Sequence, residues 1–221
     1  MTSTVQEILQ AVCDASREMV AQGLNRGASG NLSVRCAEGF WVTPSGVDST
    51  DLYPEQMVLM SLAGEVLRGR RPSSEWRFHR DIYVARPEFN AVVHAHSPFA
   101  TSLSCLREEI PPFHYMIAMA GGDTIRCADY ALFGTQALSD AVLQAMTNRK
   151  ACIMANHGMI AAGDSLKAAM GLAVEVESLS EQYWRVRQLG RPVLLSAQEM
   201  NEVMLQFQGY GRNAEKNTNH D

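Results

Sequence analysis

The amino-acid sequence predicts an α/β chain of the α+β type, with a central, mainly antiparallel β-sheet flanked by helices. Two observations support this. Short β-like runs come in pairs joined by tight turns, 31–36 with 40–43 and 57–62 with 65–67, the pattern of antiparallel hairpins. Helical patterns lie among and after them, without the regular strand–helix–strand repeat that signals a parallel sheet.

The elements follow in order. Thr4 and Glu7 form a capping box before Val5, Ile8, Leu9, Val12 and Met19 at helical spacing, and Gly23 supplies a stop. The first hairpin turns at Ala37-Glu38-Gly39 and the second at Ala63-Gly64. A helix is expected over 75–85, because Pro87 ends it. Residues 91–95 read as a short apolar strand that stops before Pro98, and 110–115 as a connector rich in proline and aromatics. Thr135 can cap a helix through Ala145, and 151–155 has the unbroken apolar character of a buried strand. The longest helical pattern, 165–188, is closed by Gly190 and Pro192. With no repeat or linker between these elements, a single domain over 1–221 is expected, with a flexible polar tail after about residue 211.

Composition narrows the function. Hydrophobic residues make up 46% and charged residues 19% of 221, enough apolar surface to build a core. A formal net charge of −5 without any basic run argues against a nucleic-acid partner. No apolar stretch approaches membrane-spanning length, and the opening residues lack the basic and apolar regions of a signal peptide, so a cytoplasmic location is expected. Cys13, Cys36, Cys105, Cys127 and Cys152 are odd in number and include no CxxC pair, so neither a disulfide framework nor a thiolate zinc site is indicated. A metal here must be held by histidine and carboxylate.

The sharpest local feature is Val92-Val93-His94-Ala95-His96-Ser97-Pro98. On a strand, His94 and His96 project to one side with Cα atoms about 6.5 Å apart, so both imidazoles can reach one zinc. His157 in Asn156-His157-Gly158 lies at the end of another apolar strand, where Gly158 would let the backbone turn sharply. Three histidines with a fourth position open describe a catalytic zinc site. HxH alone is a short and common pattern, more often without a metal than with one. Of the remaining histidines, His79 sits on an amphipathic helix and reads as packing or solvent-facing, His114 lies in a loop beside an aromatic residue, and His220 lies in the tail.

Glu75 follows Pro72-Ser73-Ser74 at a helix start. The serines could cap the helix or hold a phosphate, since a helix N-terminus presents free N–H donors and a favourable dipole. From these residues alone, an ordinary capping box with Glu75 in the first turn ranks above a carboxylate acting beside a phosphate ester. Gly27-Ala28-Ser29-Gly30-Asn31 and Thr43-Pro44-Ser45-Gly46 are small-residue loops able to offer N–H groups to an anion, or ordinary turns. Neither is a nucleotide-binding fingerprint.

Six ordered blocks then carry a resemblance over the chain to about residue 210: Gly27-Ala28-Ser29-Gly30-Asn31-Leu32-Ser33-Val34-Arg35, Thr43-Pro44-Ser45-Gly46, Pro72-Ser73-Ser74-Glu75-Trp76-Arg77-Phe78-His79, Asn90-Ala91-Val92-Val93-His94-Ala95-His96, His114-Tyr115-Met116-Ile117-Ala118 and Asn156-His157-Gly158. Together they resemble the class II aldolase and adducin family, and within it most closely the enzymes that cleave L-fuculose 1-phosphate. The resemblance implies the family's three-layer fold and a zinc-dependent aldehyde-lyase that splits a ketose 1-phosphate reversibly into dihydroxyacetone phosphate and an aldehyde. It implies one Zn²⁺ per subunit on His94, His96 and His157, with Mn²⁺, Co²⁺ or Fe²⁺ able to take its place. Glu75 is implied as the catalytic acid/base and a further ligand when no substrate is bound. Phosphate would fall to Gly30, Asn31, Thr43, Ser45, Gly46, Ser73 and Ser74. Tyr115 would be a catalytic residue lent by a neighbouring subunit, in a homotetramer with sites at subunit interfaces.

The chain departs from the fuculose-type pattern at Ala95 and Asn156, where that pattern has HNH and HHG, and over 98–101. Alternatives therefore stand beside it: a salvage aldolase for 5-methylthioribulose 1-phosphate or 5-deoxyribulose 1-phosphate, a ribulose-5-phosphate 4-epimerase, a methylthioribulose-1-phosphate dehydratase, and a non-catalytic adducin-like binding module.

Overall fold

The computed structural model describes residues 4–214. Its strands are β1 (Asn31–Cys36), β2 (Gly39–Val42), β3 (Val58–Met60), β4 (Val66–Arg68), β5 (Ala91–Ala95), β6 (Cys127–Ala128), β7 (Ala151–Met154) and β8 (Gly158–Gly163). They form one sheet in the order β4-β3-β2-β1-β5-β8-β7-β6. All neighbours are antiparallel except the parallel pair β6 and β7. The helices are α1 (Val5–Ala21), α2 (Trp76–Ala85), α3 (Pro98–Ser104), α4 (Gln136–Ala145), α5 (Leu166–Leu189) and α6 (Ala197–Ala214).

Strand alternation sorts the core into two layers. Leu32, Val34, Ala91, Val93 and Ala95 pack on the side of α1, α3 and α5. Val92 packs on the other, with Phe78, Ile82 and Tyr83 of α2 and Leu138 and Val142 of α4. His94 shares that side with Val92 and meets the Phe78 ring edge-on at 5.5 Å. The result is helix, sheet, helix, as the sequence predicts.

Two expected threonine caps, and a serine cap that the sequence reading places inside the helix, hold the helices. Thr4 and Glu7 make the reciprocal capping box of α1, Thr135 accepts from Leu138 N–H, and Ser165 accepts from Ala168 N–H. The sequence reading misses β8 because Gly158 to Gly163 has glycine at both ends and a single β-branched residue, a weak strand composition. It also misses α3, where Pro98 ends the strand segment by opening a helix at its first turn. The tail expected to loosen after residue 211 begins inside α6, and residues 215–221, with His220, lie outside the described part. No described helix is long and apolar enough to cross a membrane.

One contact ties α5 to the segment after the paired histidines. Glu177 accepts from Ser97 Oγ at 2.6 Å and from the backbone N–H groups of Phe99 and Ala100 at 2.8 and 2.9 Å. The carboxylate thus caps α3 from another helix. Glu177→Ala is expected to cost about 2–3 kcal/mol, since hydrogen bonds to a charged group are lost and their donors are left in a half-buried place. A lower urea midpoint at unchanged slope would show it, and an unchanged midpoint would remove this role.

Candidate active site and metal centre

β5 and the β7–β8 turn bring three histidines to one point. The ring centroids of His94, His96 and His157 lie 4.8–4.9 Å from one another. The Nε2 atoms of His94 and His96 are 3.0 Å apart. Glu75 enters from the start of α2, with Oε2 3.1 Å from His94 Nε2 and Oε1 3.2 Å from His157 Nε2. One donor atom from each of the four residues falls within 4.8 Å of the others.

This donor set fits a divalent metal ion. His94 Nδ1 lies 2.9 Å from the Met159 carbonyl oxygen; donating there leaves Nε2 as the free lone pair, the orientation a ligating histidine takes. Glu75 Oε1 is buried and has no hydrogen-bond partner. Burial works against ionisation of Glu75, but His94 and His157 beside it outweigh this and hold its carboxyl far below the usual carboxylate range. Burial likewise opposes a charge on His94, and Glu75 overcomes it, moving the His94 pKa upward.

Glu75 is not the capping-box residue that the local residues favour. It is the N-cap of α2 but its side chain makes no cap hydrogen bond. Ser73 Oγ accepts from Glu75 N–H at 3.2 Å instead. The carboxylate is free to face the histidines and accepts from Asn31 Nδ2 at 3.0 Å.

The turn before His157 also differs from expectation. Asn156 adopts the left-handed conformation, φ 54°, and Gly158 does not. Gly158 is needed for closeness: a Cβ there would stand 2.4 Å from the Ala95 carbonyl oxygen and 3.0 Å from the His96 ring. Gly30 has both demands, with φ 72° and a Cβ position 2.6 Å from the His94 carbonyl oxygen.

Above the cluster opens a cavity of about 360 Å³, within the size range of small-ligand sites. Gly30, Asn31, Ser45, Gly46, Ser73 and Ser74 line it together with Glu75, His96 and His157. Thr43 is not in the lining; it is buried, and its hydroxyl accepts from Leu32 N–H at 3.2 Å. Tyr115 is absent from it too. It stands half-exposed at the start of a 3-10 turn, 4.8 Å from the His114 ring. His114 caps that turn through Nδ1.

Sequence reasoning misses Tyr130, Ala131 and Phe133, which line the cavity. Tyr130 and Phe133 are 57% and 62% exposed, so they stand at its mouth. Nothing in the local pattern marks them, because the stretch has neither period nor motif. Of the two readings of His79, packing is the one the structure shows, with polar partners the sequence does not indicate. The residue is fully buried, with its ring nitrogens on Asn31 and Ser33, and burial first, then the nearby His94, lower its pKa to about 3.

A family model described as the class II aldolase and adducin N-terminal domain matches residues 10–184. The chain belongs to this family. It is 54% identical over 202 residues, 91% of either chain, to a 5-methylthioribulose-1-phosphate/5-deoxyribulose-1-phosphate aldolase of Rhodospirillum rubrum. It is 42% identical to the L-fuculose phosphate aldolase of Escherichia coli, covering 95% of this chain and 98% of that one. A solved structure of an L-fuculose 1-phosphate aldolase superposes with a TM-score of 0.89 at 37% identity, over 94% of this chain and 98% of that one. The chain is a class II aldolase, an aldehyde-lyase of a metal-dependent family. The higher identity to the Rhodospirillum enzyme moves the reading away from L-fuculose 1-phosphate.

Proposed function

We propose that this aldolase cleaves a ribulose 1-phosphate altered at carbon 5, of the 5-methylthio or 5-deoxy type, into dihydroxyacetone phosphate and the matching aldehyde. The 54% identity to an aldolase of those two substrates, against 42% to an enzyme of L-fuculose phosphate, is the observation that carries the choice. The exposed rings of Tyr130 and Phe133 at the cavity mouth suit an aldehyde with an apolar end.

His94, His96 and His157 would hold the metal, with Glu75 as a fourth ligand before substrate enters. Imidazole and carboxylate donors suit Zn²⁺ and also admit Mn²⁺, Co²⁺ or Fe²⁺. Bound there, the ion would stabilise, as a Lewis acid, the negative charge that develops on oxygen when the carbon–carbon bond breaks. Asn31, Ser73, Ser74 and the loops at Gly30, Ser45 and Gly46 hold the phosphate, which fixes the reacting carbons beside Glu75. Glu75 moves the proton at the dihydroxyacetone phosphate carbon. Tyr115 serves the aldehyde end in a neighbouring subunit's site, which accounts for its exposure outside its own cavity.

The test is a set of initial-rate assays of metal-loaded enzyme on 5-methylthioribulose 1-phosphate, 5-deoxyribulose 1-phosphate and L-fuculose 1-phosphate, with coupled detection of dihydroxyacetone phosphate. Higher kcat/KM on the first two is expected. A preference for L-fuculose 1-phosphate would reject the substrate assignment; loss of water, or an epimer without triose phosphate, would reject cleavage. Ser73→Ala with Ser74→Ala should raise KM for phosphorylated substrates by about 10-fold or more, as lost charge-assisted hydrogen bonds imply. Unphosphorylated ketoses should be little affected, and an equal loss on both would count against the phosphate role.

A further inference from the structure

A row of buried polar side chains runs from Glu75 into the protein, and the mechanism above leaves most of it unused. Glu75, His79 and Tyr83 follow one another at four-residue steps, about 6 Å along a helix axis. Asn31 and Ser33 of β1 face them, about 6.5 Å apart along the strand. The two rows interlock. Asn31 Nδ2 lies 3.0 Å from Glu75 Oε2, and Asn31 Oδ1 meets His79 Nε2. Ser33 Oγ lies 2.7 Å from His79 Nδ1 and 2.7 Å from the Tyr83 hydroxyl. His79 and Ser33 are fully buried and Tyr83 is 1% exposed; Asn31 and Glu75 alone among the five line the cavity.

One arrangement of protons turns every one of these contacts into a hydrogen bond with an ionised Glu75. The carboxylate only accepts, so Asn31 must show it the NH₂ and turn its oxygen to His79. His79 must then carry its proton on Nε2, leaving Nδ1 to accept from Ser33, whose oxygen accepts from Tyr83. The other histidine tautomer would turn the Asn31 oxygen towards the carboxylate, two acceptors 3.0 Å apart with no proton between them.

We propose that His79 is a positioning residue of the aldolase reaction: its Nε2–H fixes the Asn31 amide, and the amide holds the Glu75 carboxylate in the orientation from which it moves a proton. This rests on the reading of Glu75 as the acid/base. The four-residue steps on α2 and the two-residue step on β1 match in length, so the sheet's own geometry builds the row. Ser33 and Tyr83 serve to keep the His79 proton on the correct nitrogen.

Exchange of solvent deuterium into dihydroxyacetone phosphate, on protein of measured metal content, reads the step at issue, and ¹⁵N spectroscopy of the His79 ring reads the tautomer directly. His79→Leu should lower kcat for exchange by about 10–10²-fold, the scale on which misplacement of a reacting group acts. Metal content should stay within about twofold, because no ligand is removed, and KM should change far less than kcat, because the phosphate keeps its serine and backbone donors when Asn31 loosens. His79→Gln, whose amide can donate from the place of Nε2, should recover most of the rate. In a Glu75→Gln background, assayed at high enzyme concentration, His79→Leu should add no further loss, since it acts through the carboxylate. Equal losses for the Leu and Gln variants, full additivity with Glu75→Gln, or a His79 proton on Nδ1 would each overturn the proposal. If His79→Leu does not fold, the wild-type ring spectrum and Ser33→Ala decide: the serine variant should blur the tautomer and slow exchange, and no change in either would overturn it. Wild-type exchange by Glu75→Gln would instead sink the acid/base assignment, whatever His79 does.

Discussion

Glu75→Gln is expected to lose the exchange of solvent deuterium into dihydroxyacetone phosphate by about 10²–10⁴-fold, the usual contribution of a positioned acid/base. Glutamine keeps the shape of the side chain and an oxygen that can still accept from Asn31 Nδ2, now 3.0 Å from Glu75 Oε2. What it removes is the group proposed to take and return a proton. Three histidines remain, so metal content should fall little. Exchange needs no aldehyde, so the result does not depend on which ketose is the substrate. Tyr115→Phe should show the opposite pattern, near-normal exchange with slowed ketose cleavage, if its hydroxyl serves the aldehyde end. Wild-type exchange by Glu75→Gln with metal bound would reassign the proton-moving group.

The role of Glu75 is also where the limits of reading a sequence lie. Ser73-Ser74-Glu75 before a helix looks like a cap because capping is a local event, written within a few residues. Ser73 takes a local hydrogen bond just before the cap, accepting from Glu75 N–H. The carboxylate turns away because Asn31, His94 and His157 wait on β1, β5 and the β7–β8 turn, contacts of long sequence separation that no local pattern records. His94 and His96 were legible because a period of two is a property of any strand. The helices at 5 and 136 were legible through their Thr caps, and the one at 166 through its long period and its glycine and proline stop. β8 was not, since Gly158 to Gly163 is closed by glycine at both ends and carries a single β-branched residue, so its composition does not mark it as a strand. His79 could have been suspected: polar residues spaced four apart on a helix and polar residues two apart on a strand share a geometry. The mouth residues Tyr130 and Phe133 carry no such spacing, and only the folded chain brings them to the cavity.

His94→Ala, His96→Ala and His157→Ala are each expected to lower metal content, because each removes one of the four donors that the proposed site brings together. Their effects on the metal-free fold should differ, and the difference follows burial. His94 is fully buried, donates to the Met159 carbonyl on the neighbouring strand and pairs with Glu75. Its removal leaves a buried carboxylate short of its main partner and opens a void beside Phe78, so a loss of about 3–5 kcal/mol is expected. His96 is exposed at the cavity and touches only the edges of the His94 and His157 rings among the aromatic contacts of the described residues, so His96→Ala should cost about 1 kcal/mol. His157, half-buried, should fall between. Added zinc at 100 times its dissociation constant should stabilise the wild-type protein by about 2.7 kcal/mol, and the three variants should lose that gain. Metal analysis beside denaturant titrations with and without chelator separates the two effects. Full occupancy in all three variants would remove the histidines from the metal site, and a metal-free His94→Ala as stable as the wild type would show that the Glu75–His94 contact does not hold the site together.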